Sequence, residues 1–346
     1  FRDQPDTPLY FPGKIVADGP GKRLLIADST HHRIVVTDLD GKKIAIAGTG
    51  QPGNKDGAFD KAQFDDPQGM AVQDDTVYVA DRKNNTIRKL DLKARTVVTI
   101  AGTGRQSPWE DHKTGGPALQ RSLNSPWDLW LDGQMLYITM AGFHQIWTLN
   151  LKSKYVTPFA GEGEENIRDG PRLTARFAQP SGLCSDGRNF YVADSEVSAI
   201  RTFPMDGTGP VVTLVGRDLF YFGDRDGPGQ VADPMARMNT EAKIQHAIGV
   251  AFHQDKLYVA DTYNSKIKTI DAAGNVATFL GGPTNDGKDT MFNEPAGLNF
   301  LGDTLYVADT NAHRIRVVNM KTKEIKTLEL KDVPPVELPK EEPKSK

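Results

Sequence analysis

Aspartate recurs at one position of a repeated sequence pattern, and this repeated carboxylate is the first candidate for chemistry in the chain. Each aspartate ends a short apolar run such as residues 77–80. The five aspartates are Asp28, Asp81, Asp194, Asp261 and Asp309. A carboxylate can act as a general acid or base, or can bind a metal ion. It can also accept backbone N–H bonds in a turn. Because the five positions are equivalent, we predict that these aspartates are structural anchors that accept bonds from backbone amides of the turns that directly follow them.

Histidine is the second candidate for a metal site. His32, His144 and His313 each stand four residues after the anchor position of their repeat copy. Zinc needs three ligands within about 2.1 Å of the metal, and side chains from three copies converge only if all point toward one axis. We therefore predict that these histidines make hydrogen bonds that close a turn. No metal or other cofactor is expected.

The chain has a single cysteine, Cys184, which excludes an internal disulfide and a cysteine-rich zinc site. Cys184 lies between Leu183 and Ser185 in a predicted strand, and no His or Asn context marks it as a nucleophile. We interpret it as a small buried apolar residue.

Asp-Gly pairs recur between the repeat copies, and calcium-binding loops also use Asp and Gly. The pairs begin at Asp56, Asp169, Asp226 and Asp286. Calcium needs several oxygen ligands at tight spacing, whereas each copy offers one regular Asp. Turn formation is the favoured interpretation.

Six copies of one unit cover most of the chain. An isoleucine follows the anchor position by six residues in every copy: Ile34, Ile87, Ile146, Ile200, Ile267 and Ile315. In the second copy, short β-branched and aromatic runs predict four strands, at 69–72, 77–80, 86–92 and 96–101. No segment shows helical periodicity over ten or more residues. The repeat therefore predicts an all-β fold, a six-bladed β-propeller of four-stranded antiparallel blades.

The repeats divide the chain into three regions. Residues 12–330 are predicted to form the propeller, 1–11 an N-terminal linker, and 331–346 a tail rich in Pro, Lys and Glu. The first copy opens with its first strand and the sixth ends with its fourth. We therefore expect the ring to close by blade packing, helped by residues 1–11.

The long linkers are expected to share one face of the ring. In a four-stranded meander, the turn between the second and third strands lies at the same end as the linker into the next blade. The long linkers are 49–66, 103–125, 161–179, 216–246 and 281–294. Long loops at one end of a rigid scaffold are common binding surfaces.

At these residues the chain resembles the NHL-repeat family of propellers. Residues 307–316 (VADTNAHRIR) and 26–34 (IADSTHHRI) are close to that family's signature. The resemblance covers about residues 12–330. Four further stretches are similar to one branch of the family, in which a thioredoxin-like domain precedes the propeller: SPWD at 125–128, MAGFHQIW at 140–147, FAQPSG at 177–182 and NEPAG at 293–297. The resemblance implies protein interaction more often than catalysis, and implies a thioredoxin-like domain in the full-length chain.

A metal-dependent propeller hydrolase or lyase is the first alternative. Six-bladed propeller enzymes of that type place metal ligands at the top of their innermost strands. The corresponding residues here are Gly13, Gln68, Trp127, Ser181, Ile248 and Ala296. None is a histidine or a carboxylate, which argues against this alternative. Asp128 and His246 lie next to this ring and keep the alternative open.

An RNA-binding propeller is the second alternative. A basic residue recurs at the third-strand position of four copies: Arg88, Arg201, Lys268 and Arg316. Acidic residues are interleaved, however, and the net charge is −3 (42 Lys and Arg against 45 Asp and Glu). A nucleic-acid partner is therefore not expected.

Aromatic residues cluster in and just before the third copy. All four tryptophans lie between residues 109 and 147, and Met140 replaces the anchor aspartate in this copy. The candidate partner-binding residues are Trp109, Trp127, Phe143, Trp147, Phe220, Tyr221 and Phe222. The aromatic side chains of the third copy either pack to compensate for the missing turn bond or form a binding patch. The second hypothesis requires Trp127 or Phe143 to be partly exposed.

These observations predict a non-enzymatic interaction or scaffold propeller whose partner is a protein or peptide, with catalysis the less expected function. No apolar run approaches the length of a membrane span, and no signal peptide is recognised at Phe1. We therefore expect a cytoplasmic protein without a membrane partner, and we expect this chain to be a fragment or a processed product.

Overall fold

Six antiparallel sheets form a closed ring in the computed structural model, which describes residues 7–282 and 291–336. Each sheet is one blade, and its four main strands follow one another in chain order. The first strand of every blade contacts the first strands of both neighbouring blades, so the first strands surround a central channel. The predicted six-bladed β-propeller is confirmed.

The strands of blades 1 to 3 have the following bounds. Blade 1 comprises β1 (Pro12–Asp18), β2 (Arg23–Asp28), β3 (Arg33–Asp38) and β4 (Lys43–Ala47). Blade 2 comprises β5 (Gly57–Ala58), β6 (Pro67–Gln73), β7 (Thr76–Asp81), β8 (Thr86–Asp91) and β9 (Thr96–Ala101). Blade 3 comprises β10 (Gly116–Pro117), β11 (Pro126–Asp132), β12 (Met135–Met140), β13 (Gln145–Asn150) and β14 (Tyr155–Ala160).

The other three blades follow the same plan. Blade 4 comprises β15 (Pro180–Ser185), β16 (Asn189–Asp194), β17 (Ala199–Pro204) and β18 (Val212–Val215). Blade 5 comprises β19 (Gly227–Pro228), β20 (Gly249–His253), β21 (Lys256–Asp261), β22 (Lys266–Ile270) and β23 (Asn275–Gly281). Blade 6 comprises β24 (Pro295–Leu301), β25 (Thr304–Asp309), β26 (Arg314–Asn319) and β27 (Ile325–Thr327).

Within the part of the chain that the structure describes, three blades carry a fifth strand that the sequence did not predict. The two-residue strands β5, β10 and β19 come from the linkers before blades 2, 3 and 5, and each pairs with the outermost strand of its blade. In blade 1 a segment from the other end of the chain lies at this edge: the Lys43 amide donates to the Lys331 carbonyl (3.0 Å), and the Lys331 amide donates to the Gly41 carbonyl (2.9 Å). The first residue of the predicted tail therefore helps to close the ring.

The hydrophobic cores lie between neighbouring blades. Ile34 of blade 1 packs in one cluster with Phe64 and with Val77 and Val79 of β7. The six repeated isoleucines are all at most 1% exposed. Their predicted burial at equivalent places is confirmed, and because each apolar face is covered by the next blade, the blades stabilise one another.

The first strands approach one another closely around the channel. A Cβ added to Gly69 would lie 2.4 Å from Cα of Asp128, and a Cβ added to Gly249 would lie 1.9 Å from the carbonyl oxygen of Ala296. Both distances are far below contact distance, so only glycine allows this approach of neighbouring strands.

Within the described ranges, the structure has one α-helix, α1 (Pro234–Thr240), and four short 3-10 helices. Asp233 caps α1 by accepting a bond from the Met235 amide, and proline occupies the first turn. None of the helices in these ranges is long and apolar enough to cross a membrane.

Candidate functional site

The repeated aspartates hold each incoming linker to the turn between the second and third strands of a blade. Oδ1 of buried Asp81 accepts a bond from the Asp65 amide, 16 residues earlier (2.8 Å). Its Oδ2 accepts bonds from the Asn84 side chain (2.8 Å) and from Arg88 (2.7 Å). The linker amides of Tyr10, Ala178, Gln245 and Asn293 bind Asp28, Asp194, Asp261 and Asp309 in the same way. The expectation that the backbone donors belong to the anchors' own turns is therefore wrong, because the donors belong to the linkers.

These contacts also place the long linkers at the same end of the ring as the turns between second and third strands. The Lys83 amide in that turn of blade 2 donates to the carbonyl of Asp65 in the linker (3.1 Å). The Asn84 side chain donates to the linker carbonyl of Gly53 (2.7 Å). We refer to this end of the ring as the linker face.

Among the described residues, a basic side chain seven residues after the aspartate completes the clamp in blades 2, 4 and 5. The guanidinium of Arg88 donates to the linker carbonyls of Lys55 (3.0 Å) and Gln63 (2.8 Å), and forms ion pairs with Asp81 and Asp56 (2.7 Å each). Equivalent clamps are formed by Arg201 in blade 4 and by Lys268 in blade 5. These three side chains are 0% exposed. Three of the four residues that pointed to RNA binding therefore face carboxylates inside the protein. The fourth, Arg316, is half-buried and donates to the Thr327 hydroxyl (2.7 Å).

Burial and ion pairing act in opposite directions on the anchor carboxylates. Desolvation raises the pKa of Asp81 to about 6, although the charge of Arg88 lowers it. Desolvation likewise raises the pKa of Asp194 and of Asp261 to about 6.

The Asp-Gly pairs form linker turns that bind the outermost strand. Oδ2 of Asp56 accepts a bond from the Thr99 amide (3.0 Å), and its Oδ1 accepts one from the Thr99 hydroxyl (3.0 Å). Asp169 and Asp226 bind Thr213 and Thr278 in the same way. Asp286 lies outside the described residues.

A hydrogen bond joins every blade to the next at the linker face. The acceptors His32, His144 and His313 receive bonds at Nδ1 from the amides of Asp66 (3.2 Å), Gln179 (3.2 Å) and Phe11 (3.0 Å), respectively. Asn85, Ser198 and Ser265 accept the equivalent bonds from Ser125, His246 and Glu294. The predicted hydrogen bonds of the three histidines exist, but they connect neighbouring blades rather than closing a turn.

Nδ1 can accept these bonds only when the imidazole is neutral and carries its proton on Nε2. Desolvation lowers the pKa of His32 and of His144, which favours the neutral form.

Two of the seven candidate partner-binding residues belong to the core. Phe143 and Trp147 are 0% exposed and stack with ring centroids 5.3 Å apart. Their assignment to a binding patch is therefore wrong. Met140 and Trp147 occupy in blade 3 the positions that Asp81 and Arg88 occupy in blade 2, so an apolar pair replaces the buried ion pair.

Trp109 and Trp127 are partly exposed but lie in different surroundings. Trp109 donates from Nε1 to the Gly163 carbonyl (2.7 Å) and stacks on His112 with centroids 4.4 Å apart. These two contacts hold its ring against the protein surface. Trp127 lies at the mouth of the central channel, with the guanidinium of Arg82 4.7 Å from its ring centroid. The partial exposure that the patch hypothesis required therefore holds for Trp127.

A cavity of about 370 Å³ opens at the mouth of the channel on the linker face. Gly13, Gln68, Trp127, Ile248 and Ala296 of the predicted ring line it, together with His32 and Asp66. The Gln68 amide and the Arg82 guanidinium both donate to Asp66 (2.7 and 2.6 Å). The Ser181 hydroxyl, the sixth ring position, instead contacts the Ser195 hydroxyl.

The linker before blade 5, residues 216–246, carries the most exposed aromatic side chain of the described residues. Phe220 is 85% exposed and Phe222 is 45% exposed. Met235 and Met238, three residues apart on α1 and thus on one side of the helix, are 77% and 70% exposed. Tyr221 is half-buried, with Nζ of Lys243 4.4 Å from its ring centroid. We refer to residues 216–246 as the blade 5 linker.

Buried polar contacts hold the blade 5 linker in place. Glu241 is 0% exposed, and its carboxylate accepts bonds from Arg217 (2.5 Å) and from the Val231 amide (2.7 Å). Arg225 pairs with Lys243 through backbone bonds (3.1 and 2.9 Å). The exposed apolar residues are therefore presented by an ordered segment.

Asp128 and His246, the two residues that left the metal-enzyme alternative open, have separate partners. Asp128 pairs with Lys14 across the channel (2.5 Å). His246 stacks on Tyr263 with centroids 4.4 Å apart, and desolvation lowers its pKa. Within residues 7–282 and 291–336, no group of three or more His, Cys, Asp or Glu side chains is arranged to hold a metal ion.

Curated relatives are similar to almost the whole chain. The chain is 41% identical to NHL repeat-containing protein 2 of Bos taurus over 361 residues, covering 93% of this chain and 48% of the relative. It is 41% identical to the Homo sapiens protein of the same name, covering 94% of this chain and 48% of the relative. It is 38% identical to Protein SUPPRESSOR OF QUENCHING 1, chloroplastic, of Arabidopsis thaliana, covering 95% of this chain and 32% of the relative. The chain thus spans about half, or less, of these relatives' length.

Solved structures share the fold at low sequence identity. A chain of the nidogen–laminin complex superimposes with a TM-score of 0.57 at 16% identity, covering 88% of this chain and 92% of that chain. A streptogramin B lyase superimposes with a TM-score of 0.53 at 12% identity, covering 94% of this chain and 85% of that chain.

Residues 64–90 match the NHL repeat family. We therefore identify the chain as a six-bladed β-propeller of the NHL-repeat type.

Proposed function

We propose that this propeller is a non-enzymatic protein-binding module and that the blade 5 linker is its main recognition surface. The observation that carries the proposal is the exposure of Phe220 (85%) and Met235 (77%) on a segment fixed by buried Glu241. Large apolar side chains in such positions lose contact with water when a partner covers them, and aromatic residues and methionine are enriched at protein interfaces.

The ordered conformation of the blade 5 linker also favours binding. A linker that is already fixed loses little conformational entropy on binding, so more of the burial energy contributes to affinity. Arg217 and the Val231 amide provide this restraint through Glu241. The expected partner surface is therefore an apolar patch or segment of a protein that receives the two phenylalanines and the two methionines.

Two finer features complete the proposal. The first is that the propeller is one module of a longer protein with a thioredoxin-like domain, which the resemblance of residues 125–128 and 140–147 supports. Reading the complete gene tests this, and a gene without a thioredoxin-like segment would contradict it. The second is a cytoplasmic location, which fluorescence microscopy of the tagged full-length protein tests.

Site-specific photo-crosslinking tests the recognition surface. A benzophenone amino acid replaces Phe220 in one sample and Ile44, which is 47% exposed on β4, in a matched control. After irradiation in a lysate of the source organism, mass spectrometry identifies the crosslinked proteins. We expect a protein that crosslinks at position 220 and not at 44, through the same peptide in repeated experiments. Identical crosslinks from both positions, or none at 220, would contradict the proposal.

A further inference from the structure

A second cavity, of about 340 Å³, lies in the central channel on the side away from the linker face. The first strands of the six blades line it, and half-buried Trp130, Phe252 and Phe300 are among the residues around it. Its volume falls within the range of about 300–1,000 Å³ that is typical of small-molecule sites. It does not involve the blade 5 linker and is independent of the function proposed above.

An ion pair lies at the inner end of this cavity. Lys14 and Asp128 are 6% and 5% exposed, and Nζ of Lys14 lies 2.5 Å from Oδ2 of Asp128. Each follows a residue, Gly13 or Trp127, that lines the separate cavity at the linker face. The pair therefore lies between the two cavities.

The Lys14 ammonium has hydrogen-bond donors that the ion pair does not use. The Asp128 carboxylate also accepts bonds from the amides of Leu129 (2.9 Å) and Leu183 (3.0 Å), so it holds three donors. A lysine ammonium has three N–H donors, and the Lys14 ammonium donates to one acceptor among the described residues, Asp128. Two ammonium donors are therefore available to a molecule in the cavity.

Asn299 provides another donor in the wall. Its Oδ1 accepts a bond from the Ala17 amide (3.1 Å), which leaves the Nδ2 group as the donor end of the side chain. Most other lining side chains are apolar, including Leu183, Val250 and Phe252. The cavity thus combines an apolar wall with a small number of donors, and Asp128, the carboxylate among its described lining residues, already holds three donors.

The charges of Lys14 and Asp128 determine which kind of acceptor group a bound molecule can place at the ammonium. Asp128 neutralises Lys14, so a second carboxylate at the ammonium would meet the negative charge of Asp128 at short range. A carbonyl oxygen can accept the same hydrogen bonds without this repulsion. We propose that the cavity binds a small, neutral, mainly apolar molecule through a carbonyl oxygen that accepts from Lys14, with Asn299 as the second donor.

Naphthalene derivatives of matched shape test this proposal. Prodan, a fluorescent naphthyl ketone, is titrated into the protein and then displaced by 2-acetylnaphthalene, 2-ethylnaphthalene or 2-naphthoate. We expect saturable prodan binding, and displacement by the ketone at a concentration at least tenfold lower than by the hydrocarbon or by the carboxylate. Equal displacement by ketone and hydrocarbon, tightest binding of the carboxylate, or no saturable prodan binding would each overturn the proposal.

Substitutions locate the site. Lys14→Met should remove the preference for the ketone over the hydrocarbon, whereas Lys42→Met, on the exposed surface, should retain it. Because Lys14→Met leaves buried Asp128 without its cation, its folding is checked by thermal unfolding, and a second variant leaves the pair intact. Val16→Phe narrows the cavity and should weaken prodan binding at least tenfold. Unchanged prodan affinity in Val16→Phe would overturn the assignment of the site.

Discussion

The amide of Phe11 donates a hydrogen bond to Nδ1 of His313 at 3.0 Å, although the two residues are 302 positions apart in the chain. An equivalent bond, with His, Asn or Ser as the acceptor, joins each of the other five pairs of neighbouring blades, so this one connects blade 6 to blade 1. The Thr7 hydroxyl also donates to the His313 carbonyl (2.5 Å), and Arg33 donates to the Pro334 carbonyl (2.9 Å). Residues from both ends of the described chain thus hold the ring closed.

Removing the acceptor at this junction should destabilise the ring. We expect His313→Ala to lower the free energy of unfolding by about 1–3 kcal/mol, since the Phe11 amide loses its partner. His313→Asn should recover most of the loss, because Asn85 fills the equivalent position in blade 2 and asparagine tolerates the left-handed conformation (φ 56°). Urea unfolding measures both. Equal stability of the alanine and asparagine variants would show that the bond contributes nothing.

Acidification should weaken the junctions made by His32 and His144. Desolvation lowers the pKa of each in the folded protein, so the unfolded chain takes up protons first. Their contribution is therefore fully present above the unfolded pKa of about 6.5 and is lost as the pH falls through the folded pKa values.

The buried anchor aspartates change the free energy of unfolding in the opposite direction over this pH range. The raised pKa of Asp81, Asp194 and Asp261 adds stability at low pH that is lost as the pH rises through about 6. The measurement is therefore the difference between the wild-type protein and His32→Asn/His144→Asn, by urea unfolding from pH 5 to pH 8. We expect the wild type to lose stability relative to the double variant below about pH 6.5. A difference that does not depend on pH would contradict the neutral, hydrogen-bonded histidines.

The buried pair of Asp81 and Arg88 should show strong coupling. Asp81→Ala leaves a buried guanidinium with less compensation, and Arg88→Met leaves a buried carboxylate, so each should cost about 3–5 kcal/mol. The double variant should cost less than the sum of the two, as measured by urea unfolding of all four proteins. Additive losses would mean that the two side chains act independently.

Truncation of a repeated isoleucine should be costly in proportion to the cavity it leaves. Ile267 is 0% exposed and packs in one cluster with Leu298 and Val307. Ile267→Ala should lower the free energy of unfolding by about 2–5 kcal/mol, and Ile267→Val by about 0.5–1.5 kcal/mol. A loss below about 1 kcal/mol for the alanine variant would be inconsistent with close packing between blades.

The blades could be predicted from the sequence because a fixed spacing reflects local structure. The six isoleucines follow the anchor position at a constant distance, and each lies in the core between blades. The partner of each anchor aspartate was harder to predict, because it lies in a linker of variable length. A signal existed all the same, since Asp65 and Ala178 both precede their aspartates by 16 residues.

The exposure of the aromatic residues could not be predicted from the amino-acid composition. Comparing Met140 and Trp147 with Asp81 and Arg88 would have indicated that the pair is buried, because both positions change from charged to apolar together. Phe220 offers no such repeat equivalent, so its exposure required the structure. The cavity beside Lys14 depends on how closely six strands approach one another, which no single strand reveals.

The affinity for the protein identified by photo-crosslinking tests the central claim most directly. Phe220→Ser/Phe222→Ser and the matched pair Ile44→Ser/Val98→Ser, which removes side chains of 47% and 45% exposure, are titrated with that purified protein by calorimetry. We predict at least a tenfold loss of affinity, or about 1.4 kcal/mol, for the first pair and less than a twofold change for the second. Unchanged affinity in the Phe220→Ser/Phe222→Ser variant, with both variants folded, would contradict recognition through the blade 5 linker.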